Sequence, residues 1–209
     1  MNTHEAFRRY LGECPLIAIL RGVTAQDARS IGNALFDAGI RIIEVPLNSP
    51  APFASIQQLS ECLGDRSLVG AGTVLDPIQV AQVKQAGGRL IVSPSTDAEV
   101  IRAAVAAGVV SCPGYSTPTE AFTAIKAGAH ALKLFPAEAA SPAVLKSQKA
   151  VLPPEIPVVV VGGIRPDSMQ PWLEAGADGF GLGGGLYTPG QSAAETLAKA
   201  RASVAGLNR

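Results

Sequence analysis

The sequence has no surplus of either charge: 17 Lys and Arg stand against 17 Asp and Glu, scattered along the chain. No basic stripe offers nucleic acid an electrostatic footprint, and no charged tail suggests a regulatory arm. Charged residues make up only 16% against 47% hydrophobic, which excludes a disordered chain. Cysteine is scarce and odd in number; Cys14, Cys62 and Cys112 lie far apart, which argues against a disulfide framework and suits a reducing compartment. No apolar run reaches the roughly 18 residues of a membrane span. The opening segment MNTHEAFRRY lacks the apolar stretch of a signal peptide. No cluster of His, Asp and Glu has metal-ligand spacing, so no metal is expected. These absences point to a soluble cytoplasmic protein without nucleic-acid or membrane partners. At 209 residues the chain suits one well-buried core better than two domains.

What is present is a rhythm. Eight short apolar runs alternate with helix-period segments: PLIAIL (15–20), IRIIEV (40–45), SLVGAG (67–72), RLIVSP (89–94), VVSCPG (109–114), ALKLFP (131–136), IPVVVV (156–161) and DGFGLG (178–183). Their near-continuous apolar character suits parallel strands covered on both faces. Helix starts are expected at Thr24, at Asp76-Pro77, at Thr117-Pro118 and at Arg165-Pro166-Asp167. A phrase ending in Ala-Gly recurs before the strands, as DAGI, QAGG, AAGV, KAGA and EAGA, and reads as a helix C-terminal glycine each time. Strand–helix alternation demands a parallel sheet. An open doubly wound sheet would show a nucleotide fingerprint after its first strand, and none follows LIAIL. The expected fold is therefore a single (β/α)8 barrel over residues 1–209, with 1–14 as a helical or loop extension.

In such a barrel the chemistry sits at the C-terminal ends of the strands. Lys133 lies inside the apolar strand ALKLFP, where walls without water disfavour the ammonium and make a neutral amine available as a nucleophile. A lysine that merely pairs with a carboxylate is the structural alternative. Glu44 is an acid within RIIEVPLN. It is expected to form a charge pair with Lys133 that exchanges protons in a dry cavity; a purely structural salt bridge is the competing reading. The glycine runs VVVVGGI and GFGLGGGLY end the last two strands, where barrels often hold a phosphate on backbone N–H groups. Arg21 closes the first strand as a natural anion clamp, unless it points to the outer rim. Thr73, in GAGT, can hydrogen-bond a carboxylate or satisfy local backbone. His130 precedes its strand and falls at the opposite, non-catalytic end.

LIAILRG, EVPLNSP, GAGTVL, LIVSP, CPG-x-x-T-x-x-E, ALKLFPAE and VGGI, in this order and spacing, resemble the 2-keto-3-deoxy-6-phosphogluconate and 2-keto-3-deoxy-6-phosphogalactonate aldolase family from about residue 15 to 205. The resemblance implies a Schiff-base lysine at Lys133 and a general acid/base at Glu44. It implies a pyruvate pocket at Thr73, Pro94 and Phe135, and phosphate turns at Gly162, Gly163, Gly183 and Gly184. It also implies a cytoplasmic homotrimer that needs no cofactor and acts on a phosphorylated 2-keto-3-deoxy sugar acid. Two departures stand out. Asn48 occupies the place of an arginine that contacts the pyruvate carboxylate in E-V-T-L-R members, which passes that role to Arg21. The last turn reads Gly183-Gly184-Gly185 without the serine hydroxyl common there. Val161 stands where gluconate-type members carry a threonine able to bond the C4 hydroxyl. Together with LNSP it points to the galactonate epimer, the gluconate epimer and 4-hydroxy-2-oxoglutarate being the other substrates to weigh. A sugar-phosphate-binding barrel without turnover is the reading outside enzymology.

Overall fold

All eight apolar runs form strands in the computed structural model, which describes residues 2–207. The strands are β1 (Leu16–Ile19), β2 (Ile42–Pro46), β3 (Leu68–Gly72), β4 (Leu90–Val92), β5 (Val110–Cys112), β6 (Gly114–Tyr115), β7 (Leu132–Leu134), β8 (Val158–Val161) and β9 (Gly179–Leu182). Every pairing is parallel, in the order β5-β4-β3-β2-β1-β9-β8-β7-β6. β5 and β6 are one run interrupted at Pro113, whose nitrogen has no proton to give to a ladder. The ring nevertheless closes there: the Lys133 amide donates to the Pro113 carbonyl at 2.8 Å, and the Phe135 amide donates to Tyr115 at 3.1 Å. The nine segments are thus eight barrel strands, and the chain folds as a single (β/α)8 barrel.

The helices are α1 (Thr3–Glu13), α2 (Ala25–Asp37), α3 (Pro52–Leu63), α4 (Pro77–Gln85), α5 (Ala98–Ala106), α6 (Pro118–Lys126), α7 (Pro142–Lys149), α8 (Gln170–Glu174) and α9 (Ala193–Gly206). Three of the expected starts hold. Thr24 caps α2, while Asp76 with Gln79 and Thr117 with Glu120 form capping boxes on α4 and α6. The fourth is corrected: α8 begins at Gln170, not just after Pro166. Pro171 is the reason, since deep inside a longer helix it would break a hydrogen bond, whereas in the first turn its missing N–H costs nothing.

All five Ala-Gly phrases end their helices with a left-handed glycine: Gly39, Gly87, Gly108, Gly128 and Gly176. The next amide reaches back over the last turn each time, as from Ile40 to Leu35 and from Val109 to Ala104. This exit geometry turns the chain from helix into strand and keeps the barrel units short.

Alternation along each strand then separates two cores. Leu132 and Leu134 pack outward into the layer between strands and helices. Ala131 and Lys133 point into the lumen. At the N-terminal end the lumen is filled by Ile42, Leu68, Leu90 and Val110, and α1 closes it with Ala6, Phe7, Tyr10 and Leu11. His130 lies at this end, its ring 4.9 Å from that of His4 on α1. The bottom of the barrel is packed with apolar side chains. A small cavity remains further up the lumen, beside Glu44 and Lys133.

Candidate active site

Glu44 on β2 and Lys133 on β7 both face the upper lumen, 2% and 7% exposed. In the sheet order, β2 and β7 are four strands apart in a ring of eight, so the two side chains approach from opposite walls. This placement argues against the competing reading, a structural salt bridge in direct contact. No ion pair within 4 Å joins them among the described residues. They instead line one small cavity, with Val92, Cys112, Val159 and Val161 between them. The gap is where a substrate carbon can stand between amine and carboxylate.

The electrostatics follow from burial. Loss of water pushes the Glu44 carboxyl from 4.5 up to about 7, while the positive charges of Lys133 and Arg21 pull it back down. A carboxyl that exchanges its proton near neutrality suits general acid/base work. Its Oε2 is buried and has no hydrogen-bond partner. An orphaned buried acceptor costs free energy and is expected at a site built to receive a ligand. Lys133 Nζ sits 4.8 Å from the centroid of the Phe135 ring, which holds the amine over an apolar face.

Glycines make the room. A methyl group on Gly72 would lie 1.6 Å from Glu44 Oε2 and 2.3 Å from its carboxyl carbon. One on Gly181 would lie 2.7 Å from Val161 Cγ2. Gly72 has no left-handed backbone to require glycine, so its missing side chain is there for the carboxylate. The next residue, Thr73, does adopt the left-handed region at φ 56°, a costly conformation for a β-branched side chain and one that tends to persist at functional sites.

The other expected residues form a rim above the cavity and do not line it. Arg21 is exposed and donates to Asn48 Oδ1, so the arginine and the residue standing in for the family's other arginine touch each other. Gly22 N–H donates to buried Ser49 at 2.9 Å, which ties the same two loops together a second time. Pro94 and Phe135 are half-buried at their strand ends. Gly162 and Gly163 have φ of 121° and 62°. The amides of Gly163, Ile164, Gly184 and Gly185 donate to no backbone acceptor among the described residues. Free N–H groups on two adjacent turns are what an anion seat needs.

Sequence reasoning missed Gly72 and Cys112. Burial pushes the Cys112 thiol up to about 12, so it stays protonated and serves as a small apolar wall. The signal was available: within Val110–Cys112 the alternation that points Val110 inward also points Cys112 inward.

Residues 8–199 match the family described as KDPG and KHG aldolase. The 2-dehydro-3-deoxy-6-phosphogalactonate aldolase of Escherichia coli K12 is 50% identical over 91% of this chain and 93% of its own. A solved native KDPGal structure is 48% identical with a TM-score of 0.91, over 93% of this chain and 94% of that one. The KDPG aldolase of Legionella pneumophila, solved with pyruvate captured as a covalent carbinolamine, is 26% identical with a TM-score of 0.81, over 93% and 95% of the two chains.

Two outcomes are expected from this geometry. Gly72→Ala displaces the Glu44 carboxylate by an ångström or more and lowers kcat/KM by about 100-fold, with the circular dichroism spectrum retained; wild-type kinetics in the folded variant would contradict the packing argument. Because the folded carboxyl holds its proton more tightly than an unfolded one, the contribution of Glu44 to stability is greatest below about pH 4.5 and falls as pH rises to about 7. Glu44→Gln removes that slope. Its urea midpoint should exceed that of the wild type at pH 8 by an amount worth about 3 kcal/mol, with little of that gain at pH 4.5.

Proposed function

This chain belongs to the KDPG and KHG aldolase family, and we propose that it cleaves 2-dehydro-3-deoxy-6-phosphogalactonate to pyruvate and glyceraldehyde 3-phosphate through a Schiff base on Lys133. The observation that carries the proposal is the buried amine of Lys133 facing the buried carboxyl of Glu44 across one cavity. The epimer is supported by the name of the 50% identical relative and by Val161 on the cavity wall. A valine there leaves the C4 hydroxyl without the donor or acceptor a threonine would supply.

Lys133 passes a proton to Glu44, and the resulting neutral Nζ adds to the C2 carbonyl of the bound keto acid. The carbinolamine takes a proton from Glu44 and loses water to give the iminium. Glu44, now a carboxylate, takes the C4 hydroxyl proton, the C3–C4 electron pair moves into the iminium, and the phosphorylated aldehyde leaves. The enamine left on Lys133 takes a proton at C3 from Glu44, and water adds to the resulting iminium to release pyruvate and return Lys133 as its ammonium. Arg21, held by Asn48, and Thr73 bind the carboxylate of the keto acid. The free amides of the Gly162–Gly163 and Gly183–Gly184 turns take the phosphate. Phe135 and Pro94 wall the pyruvate end.

The same reading treats residues 1–209 as one domain, with α1 as its bottom cap, in keeping with the packing of Phe7 and Tyr10 against the barrel interior. It includes assembly as a homotrimer, for which the exposed Leu75 and Ile78 at the start of α4 offer apolar surface to a second copy. It places the enzyme in the cytoplasm, in keeping with three unpaired cysteines.

Borohydride added with pyruvate should fix one adduct on Lys133, visible by peptide mass, and none in Lys133→Met. The galactonate epimer should be cleaved faster than the gluconate one, and Val161→Thr should narrow that ratio. Loss of activity to EDTA without any adduct would refute the Schiff base. Faster cleavage of the gluconate epimer would refute the substrate.

A further inference from the structure

The Gly162–Gly163 turn carries a charge for which the chemistry at Lys133 has no use. Glu138 lies in the short 3-10 turn Ala137–Ala139 that follows β7, and it is exposed. A methyl group on Gly162 would lie 2.0 Å from Glu138 Oε2, and one on Gly163 would lie 3.3 Å from Oε1. The carboxylate therefore rests against the two glycines, in the space their side chains would fill. None of the ion pairs among the described residues engages it. An unneutralised carboxylate thus sits on one of the two turns whose free amides suit an anion.

We infer that Glu138 tunes the phosphate end of the site: its negative charge weakens the hold of the Gly162–Gly163 turn on phosphorylated substrate and product. The inference rests on the reading that the substrate carries a phosphate seated on the glycine turns. A phosphate dianion placed there is repelled by a carboxylate a few ångströms away, which no ion pair among the described residues neutralises. The side chain is exposed, so it lowers affinity without blocking the seat. The consequence for turnover is release. Cleavage leaves the phosphate on the three-carbon product, and a seat that held it tightly would slow the next cycle. Glycine at 162 suits its left-handed backbone and leaves open the space in which the carboxylate rests.

The test uses Glu138→Gln, which keeps the shape and removes the charge, and Glu138→Ala, which removes both. Inorganic phosphate and glyceraldehyde 3-phosphate are titrated as inhibitors of cleavage, with pyruvate as the reference ligand that lacks phosphate. At low ionic strength Glu138→Gln should bind both phosphorylated ligands about three- to tenfold more tightly relative to pyruvate. The gain should shrink at about 1 M salt, where screening acts over only about 3 Å. Unchanged affinity in Glu138→Gln overturns the inference. So does tighter binding in Glu138→Ala alone, which would assign the effect to bulk. Weaker binding in both variants also overturns it and would make Glu138 an acceptor for a substrate hydroxyl. If the wild type forms the pyruvate adduct but binds neither phosphorylated ligand, the phosphorylated substrate itself is refuted and this inference falls with it.

Discussion

Two ionisable groups kept out of water on opposite walls of a barrel set the terms for the rest of this molecule. Neither Glu44 nor Lys133 is neutralised by contact, because β2 and β7 stand across the ring from each other. Each retains an unsatisfied demand: a buried carboxylate oxygen without a partner, and an amine held over an aromatic face. A close salt bridge would have met both demands and left nothing for a substrate. Separation across the lumen keeps them coupled, as the pull of Lys133 on the Glu44 proton shows, yet open to a carbon placed between them.

That separation has to be supported elsewhere in the fold. Burying such groups costs stability, and the packed lower lumen offsets it with Ile, Leu, Val and Phe side chains that α1 seals off from solvent. Space at the upper end comes from missing side chains. Gly72 yields to the Glu44 carboxylate, Gly181 to Val161 and Ile19, and Gly162 to Glu138. The strain of a left-handed Thr73 sits directly beside this opening. Chemistry and packing thus divide the barrel along its axis, with the rim loops tied across by the Arg21–Asn48 and Gly22–Ser49 hydrogen bonds.

Much of this was legible without coordinates. Continuous apolar runs and five Ala-Gly exits specify the strands, and the rule that barrel chemistry lies at strand C-terminal ends places Glu44 and Lys133 together. What sequence alone did not reveal depends on closure. The separation of β2 and β7 becomes apparent only once the ring order is known, so sequence alone could not tell a pair coupled across a cavity from a structural salt bridge. Gly72 resembles any strand-end glycine until its neighbour on β2 is seen. Glu138 and Gly162 are 24 residues apart, and no local pattern joins them. The start of α8 was missed for a different reason: Pro166 and Pro171 both qualify as first-turn prolines, and only the later one fits the helix that forms.

The central claim is a division of labour across the lumen, in which Lys133 makes the covalent bond and Glu44 moves the protons. Exchange of the pyruvate methyl protons with deuterated water, followed by NMR in Glu44→Gln alongside borohydride capture of the Lys133 adduct, tests it directly. The account requires exchange to fall by at least about 100-fold while the adduct can still be captured on prolonged incubation. Exchange at the wild-type rate in that variant would show that the proton travels by another route and would contradict the arrangement described.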